Sequence, residues 1–167
     1  VSRAGALLAL GSAGVLLWLT SAAMADTGTM ATGWSVVAQV LAQTEFGHVW
    51  RWRLPIAAIL AATACLPPTP RRRAVCILLA ALLLSSLSLT GHAAIETGSA
   101  RIAHQLADAL HLLAAGLWIG GLWPLLYLLG RARSGDPSWL ALSRAAVPFF
   151  SLIGSIAVAT LVLTGTV

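Results

Sequence analysis

Long apolar stretches that end at arginines constrain the fold of this chain more than any other feature of its sequence. Five of them approach the length of about 20 residues that an α-helix needs to cross the hydrocarbon layer of a membrane. They cover residues 4–24, 50–66, 74–92, 102–129 and 146–167. None shows the alternation of apolar and polar residues that is typical of membrane β-strands. The sequence therefore predicts an all-α fold, a polytopic transmembrane bundle of about five spans.

The composition favours a membrane protein over a water-soluble domain. Apolar residues make up 59% of the chain and charged residues only 9%, whereas a soluble domain carries roughly 25% charged residues. We expect residues 1–167 to form a single transmembrane domain. We also expect them to be part of a longer protein, because the chain begins without methionine and ends inside an apolar run.

The distribution of the arginines predicts an orientation. Three of them, Arg51, Arg53 and Arg101, fall on one side of the predicted bundle, and the other seven fall on the opposite side. These seven are Arg3, Arg71, Arg72, Arg73, Arg131, Arg133 and Arg144. Positive residues concentrate in cytoplasmic loops, so we place the N-terminus in the cytoplasm and all four histidines in the periplasmic half. The arginines are not interleaved with aromatic residues, and we expect no nucleic acid partner.

A polar face on the fourth predicted span is the strongest local pattern. The spacings between His104, Asp108 and His111 place all three on one side of a helix. Such side chains are costly against lipid, so this face should line the bundle interior or a wet cavity. Trp118 continues it further inward. Imidazole binds copper, zinc, iron or nickel, and Asp108 can fix the tautomer of a neighbouring histidine. The alternative is a set of histidines that only bond backbone carbonyls at the interface.

His92 ends the third predicted span and belongs to the same candidate site. If the third and fourth spans form an antiparallel hairpin, His92 and His104 lie at similar depth. His111 lies about 10 Å deeper, at a rise of about 1.5 Å per residue. One ion cannot easily bind all three imidazoles through straight helices. We therefore predict either two adjacent metal sites or one site and a relay.

Two further candidates lie outside this face. His48 precedes four residues that we interpret as interfacial anchors, and it is more typical of the interface than of a metal site. The four are Trp50, Arg51, Trp52 and Arg53. Met24 is interpreted as packing at a helix end, although its thioether could supplement a site for Cu(I).

The cysteines and one polar segment complete the candidates. Cys65 and Cys76 flank a predicted cytoplasmic loop at matching depth and could receive Cu(I) at an exit. Small buried cysteines are nevertheless common in apolar helices. Residues 31–49 are too polar to span, and they predict an outer amphipathic or re-entrant segment.

Two motifs are specific in their spacing: LTGHAA at residues 89–94 and ADALHLLAAGLWIGGL at residues 107–122. TEFGHVW at residues 44–50, with Arg53, and LVLTG at residues 161–165 support them. Through these motifs the chain resembles the copper-resistance protein D family of bacterial inner-membrane proteins, whose members are usually longer. The resemblance implies transport of copper from periplasm to cytoplasm, often beside a small periplasmic copper carrier protein.

The sequence is compatible with three functions. The leading hypothesis is a copper-binding membrane protein without chemical turnover, in which His92 and His104 form an entry site and His111 a deeper one. A b-type cytochrome is an alternative, because paired histidines on facing helices can bracket haem. A structural or assembly subunit is the third. A hydrolase is not expected, since neither a nucleophile–base pattern nor a zinc-binding HExxH motif occurs.

Overall fold

The computed structural model describes residues 2–26, 28, 32–90 and 98–165. Every regular element in these ranges is a helix, which confirms the predicted all-α class. The elements are α1 (Arg3–Met24), α2 (Trp34–Gln43), α3 (Glu45–Cys65), α4 (Pro70–Ser85), a 3-10 helix (Ser86–Thr90), α5 (Gly98–Ala132) and α6 (Pro137–Thr164). They fall into two compact units, Val1–Ala94 and Ile95–Val167, and each is described by itself. The single transmembrane domain stays a prediction.

The described helices agree with a bundle of about five spans. Four helical segments are long and apolar enough to cross a membrane, judged by length and composition. They are Arg3–Met24, Pro70–Thr90, Gly98–Ala132 and Pro137–Thr164. The remaining predicted span, residues 50–66, lies in α3. That helix begins earlier, at Glu45, and carries Arg51 and Arg53 in its first half.

The connection between α5 and α6 is shorter than the sequence suggested. Only residues 133–136 separate the two helices, so Arg144, expected in a loop, lies within α6. The helix starts early because the Asp136 carboxylate accepts hydrogen bonds from the Ser138 hydroxyl at 2.6 Å and the Ser138 backbone N–H at 2.8 Å. These bonds lower the pKa of the Asp136 carboxyl. Pro137 suits the first helical turn, where its missing N–H is not needed.

Small residues bring the helices of the first unit together. The start of α1, the end of α3 and the start of α4 meet in one apolar cluster, and α1, α2 and α3 meet in a second. The first contains Ala6, Leu60, Ala61, Ala64 and Cys76, and the second contains Ala13, Leu17, Val37 and Trp50. Helix α2 buries Val37 and Val40 and exposes Ser35, Gln39 and Gln43. It is therefore amphipathic, as predicted for the segment around it.

A tight turn joins α2 to α3. The Thr44 hydroxyl accepts a hydrogen bond from the Gly47 backbone N–H at 2.9 Å and donates one to the Val40 carbonyl at 2.8 Å. A Cβ atom on Gly47 would lie 2.1 Å from the Val40 carbonyl oxygen. Because a backbone atom cannot move aside as a flexible side chain can, the close approach of the two helices requires glycine. Thr44 and Gly47 of the TEFGHVW motif therefore have a structural role at this turn.

Arg53 and Trp50 are buried in the first unit, so their interpretation as interfacial anchors is wrong. Trp50 is 1% exposed and Arg53 is 8% exposed. The Arg53 Nη1 atom donates to the Leu83 carbonyl at 2.7 Å and to the Ser86 hydroxyl. The guanidinium carbon lies 5.1 Å from the centroid of the Trp50 ring, within the range of a cation–π interaction. Arg53 therefore links α3 to the end of α4.

The position of the Arg53 contacts explains why the sequence pattern wrongly indicated an interfacial anchor. Leu83 and Ser86 lie where α4 gives way to the 3-10 helix. Carbonyl groups near such a helix end lose regular partners and need other donors. Arg51 and Trp52, the neighbours of Arg53 along the chain, are exposed, and the anchor interpretation still suits them.

We predict that Arg53→Ala lowers the free energy of unfolding by about 1–3 kcal/mol, because the protein loses the hydrogen bonds that a charged donor makes to the part-buried Leu83 carbonyl and Ser86 hydroxyl. Arg51→Ala is the matched control. It removes the same side chain from an exposed position on the same helix and should change stability by less than about 0.5 kcal/mol. Thermal unfolding of the full-length protein in detergent measures both. Equal effects of the two substitutions would refute the structural role of Arg53.

Candidate metal site

Helices α5 and α6 pack antiparallel in the second unit, and this packing brings His111 and Trp118 of α5 against α6. Three contacts define the pairing: His111 with Thr164, Gly121 with Phe150, and Tyr127 with Trp139. The residue number rises along α5 as it falls along α6. His111, in the first half of α5, therefore lies beside the last turn of α6.

Gly121 allows close packing of α5 against α6. A Cβ atom on Gly121 would lie 2.7 Å from the Phe150 ring, and one on the buried Gly154 would lie 3.7 Å from Trp118 Cδ1. The Trp118 ring therefore packs on the α6 backbone at Gly154. The aromatic ring predicted to continue the polar face is part of the helix contact.

His111 has a defined partner on α6. Its Nδ1 atom lies 3.0 Å from the Thr164 hydroxyl oxygen. A Cβ atom on Gly165 would lie 3.5 Å from His111 Cε1, so the end of α6 passes close to the imidazole ring. The side chain is half-buried. The His111 side chain therefore lies against the end of α6.

The other predicted ligands of this region are His104, Asp108 and His92. His104 is half-buried on the same face of α5, seven residues before His111, or about 10 Å along the helix axis. Asp108 is exposed within its unit. His92 lies outside the described residues, so the pairing of His92 with His104 stays a prediction. Within the described ranges, no three His, Cys, Asp or Glu side chains form a group that could hold a metal ion.

The two supporting candidates lie in the first unit. His48 is exposed and lines an open pocket of about 480 Å³ with Arg51 and Trp52. Met24 is 51% exposed at the end of α1 and lines a smaller pocket, of about 240 Å³, beside α2. The interfacial position expected for His48 and the helix-end packing expected for Met24 stay predictions. A contribution of either residue to metal binding stays a prediction.

The two cysteines have different surroundings. Cys76 is 1% exposed and lies in the first apolar cluster of the first unit. Cys65 is exposed at the end of α3, where its carbonyl accepts a hydrogen bond from Arg3 Nη2 at 3.3 Å. Both thiols are free. The burial of Cys76 is typical of a cysteine that packs as a small apolar residue, and the Cu(I) exit stays a prediction.

Sequence reasoning missed Thr164 as the partner of His111. The threonine belongs to the LVLTG motif. This motif supported the resemblance to a family, but no function was assigned to its residues. A hydroxyl near the end of an apolar helix is a weak signal, because threonine often bonds a carbonyl of its own helix. The spacing within one helix also cannot identify a partner 53 residues away.

Taken together, the apolar helices and the histidine-bearing α5–α6 pair define a polytopic membrane protein with a candidate metal site. The profile for the N-terminal domain of copper resistance protein D-like proteins matches residues 1–102. The chain therefore belongs to this family, as the sequence motifs predicted. The match covers the whole first unit and the start of α5.

Two curated relatives extend the comparison. The chain is 30% identical over 155 residues to inner membrane protein YebZ of Escherichia coli strain K12, which covers 90% of this chain and 52% of the relative. It is 31% identical over 132 residues to copper resistance protein D of Pseudomonas syringae pv. tomato, which covers 77% of this chain and 42% of the relative. The chain thus spans about half the length of these relatives. No solved structure matches it.

Proposed function

We propose that this chain is the copper-binding part of a bacterial inner-membrane protein that moves copper ions from the periplasm to the cytoplasm. Family membership supports a role in copper handling, and one relative is named as an inner membrane protein and the other as a copper resistance protein. The observation that carries the proposal is the imidazole of His111, which is held by a hydrogen bond inside a membrane helix pair. Copper is the cargo, and the protein is not an enzyme.

The proposed ligands lie at two depths. His92 and His104 bind copper at the periplasmic entry, and His111 receives it about 10 Å deeper. Asp108 is one turn from either α5 histidine, and it supports them electrostatically and by hydrogen bonding. A small periplasmic carrier would deliver the ion.

Contacts of the arginines in the first unit support the proposed orientation. Arg3 Nη2 donates to the Cys65 carbonyl, and Arg72 Nη1 donates to the Leu66 carbonyl at 2.6 Å. Both side chains therefore bond the end of α3, and the N-terminus and the start of α4 lie at the same end of this unit. This clustering of positive charge is typical of the cytoplasmic side.

We predict that His111→Ala removes most copper-dependent accumulation in cells, because the deeper site loses its ligand. His104→Ala should reduce uptake more at low copper than at high copper, because the outer site concentrates the ion. Gln105→Ala is the matched control, a polar truncation on the same helix, and should behave as the wild type. The measurement is cellular copper by elemental analysis across a copper titration, normalised to membrane-inserted protein.

Two results would contradict this function. His111→Ala could accumulate copper like the wild type at equal expression, which would exclude a transport role for this histidine. Alternatively, the purified full-length protein could show the Soret absorption of haem and hold no copper. That spectrum would support a b-type cytochrome instead.

We predict that a cysteine introduced at Ser99 reacts with a membrane-impermeant thiol reagent in intact cells, whereas one introduced at Pro68 does not. Both positions are exposed, and Cys65 and Cys76 would first be replaced by alanine. Permeabilised cells provide the control, since both cysteines should then react. The reverse pattern in intact cells would overturn the proposed orientation and place the histidines on the cytoplasmic side.

A further inference from the structure

We propose that Thr164 is a positioning residue that sets the tautomer of His111 and thereby presents the Nε2 atom of this imidazole to a metal ion. The tautomer follows from hydrogen bonds within the α5–α6 pair. Its use for copper rests on the proposed function.

The direction of the His111–Thr164 hydrogen bond follows from the second contact of the threonine. The Thr164 hydroxyl lies 2.7 Å from the Thr160 carbonyl oxygen, to which it donates. A hydroxyl has one proton, and a carbonyl can only accept. The Thr164 oxygen therefore has only a lone pair to offer to His111 Nδ1, 3.0 Å away. The bond requires Nδ1 to carry the proton.

This direction decides which nitrogen can bind a metal. A neutral imidazole carries one N–H, and the other ring nitrogen has a free lone pair. With the proton on Nδ1, the lone pair is on Nε2, the atom at the far end of the ring from the backbone. Metal-binding histidines commonly have one nitrogen held by a hydrogen bond in this way, which fixes the orientation of the ring and its tautomer.

The packing around the ring favours one orientation. Rotation of the imidazole by half a turn would exchange Nδ1 for Cδ2, and Thr164 would lose its donor. An ideal Cβ on Gly165 would lie 3.5 Å from His111 Cε1 and 3.8 Å from Nδ1. The end of α6 therefore passes along the same edge of the ring that bonds Thr164.

A purely structural role for the same bond must be distinguished from this positioning role. The chain offers a matched control one turn away on α6. The Thr160 hydroxyl donates to the Ile156 carbonyl at 2.9 Å, as the Thr164 hydroxyl does to Thr160, but it has no bond to a histidine among the described residues. Thr160→Val and Thr164→Val are therefore equal changes in chemistry. Thr164→Ser keeps the hydroxyl and should rescue the effect.

The first test is ¹⁵N NMR of the histidine ring nitrogens in the metal-free, full-length protein at a pH where imidazole is neutral. We expect His111 to be protonated at Nδ1 in the wild type, in Thr160→Val and in Thr164→Ser. In Thr164→Val, the Nδ1 signal should shift towards that of an unprotonated nitrogen. The proposal is overturned if wild-type His111 is protonated at Nε2, or if Thr164→Val leaves the ring shifts unchanged.

The second test is a copper titration of the same variants. Loss of a group that orients a metal ligand typically lowers affinity about 10–100-fold. We expect that loss in Thr164→Val and wild-type affinity in Thr160→Val and Thr164→Ser. If the tautomer changes but copper affinity does not, Thr164 still sets the tautomer, but His111 is not a copper ligand. The failure of the proposed function is then distinct from a failure of the tautomer assignment.

Discussion

A polar side chain within a membrane helix must find its partner inside the protein, because lipid offers none. This constraint shapes both units of the chain. In the first, the Arg53 guanidinium bonds the Leu83 carbonyl and the Ser86 hydroxyl at the end of α4. In the second, the His111 imidazole bonds Thr164 near the end of α6. Each bond joins two helices, so each polar group also fixes how its helices meet.

The side chains of Arg53 and His111 differ in whether their contacts leave an atom that can bind a ligand. Arg53 is almost fully buried and is engaged by a carbonyl, a hydroxyl and an aromatic ring, which is typical of a structural residue. His111 is half-buried, and its hydrogen bond to Thr164 uses Nδ1. An imidazole fixed through one nitrogen can bind a ligand through the other. This difference makes His111, and not Arg53, the centre of the proposed copper path.

Local sequence signals predicted the elements but not their pairing. The apolar runs predicted the transmembrane helices and the motifs predicted the family, because hydropathy and spacing are properties of one segment. The early start of α6 was not predicted, because the apolar run begins only at residue 146. The helix begins at the capping residues Asp136 and Pro137 instead. The burial of Arg53 and the partnership of Thr164 with His111 depend on helix packing, which no single segment encodes. An arginine beside tryptophans has the same pattern whether it faces headgroups or a neighbouring helix.

X-ray absorption at the copper edge tests most directly whether His111 is a copper ligand. The full-length protein and His111→Ala would be loaded with the same substoichiometric amount of copper. Imidazole ligands produce a distinct multiple-scattering pattern, so their number can be compared between the two proteins. We expect the variant to lose imidazole scattering, with a change in the ligands around the remaining copper. Superimposable spectra at equal copper content would contradict the account.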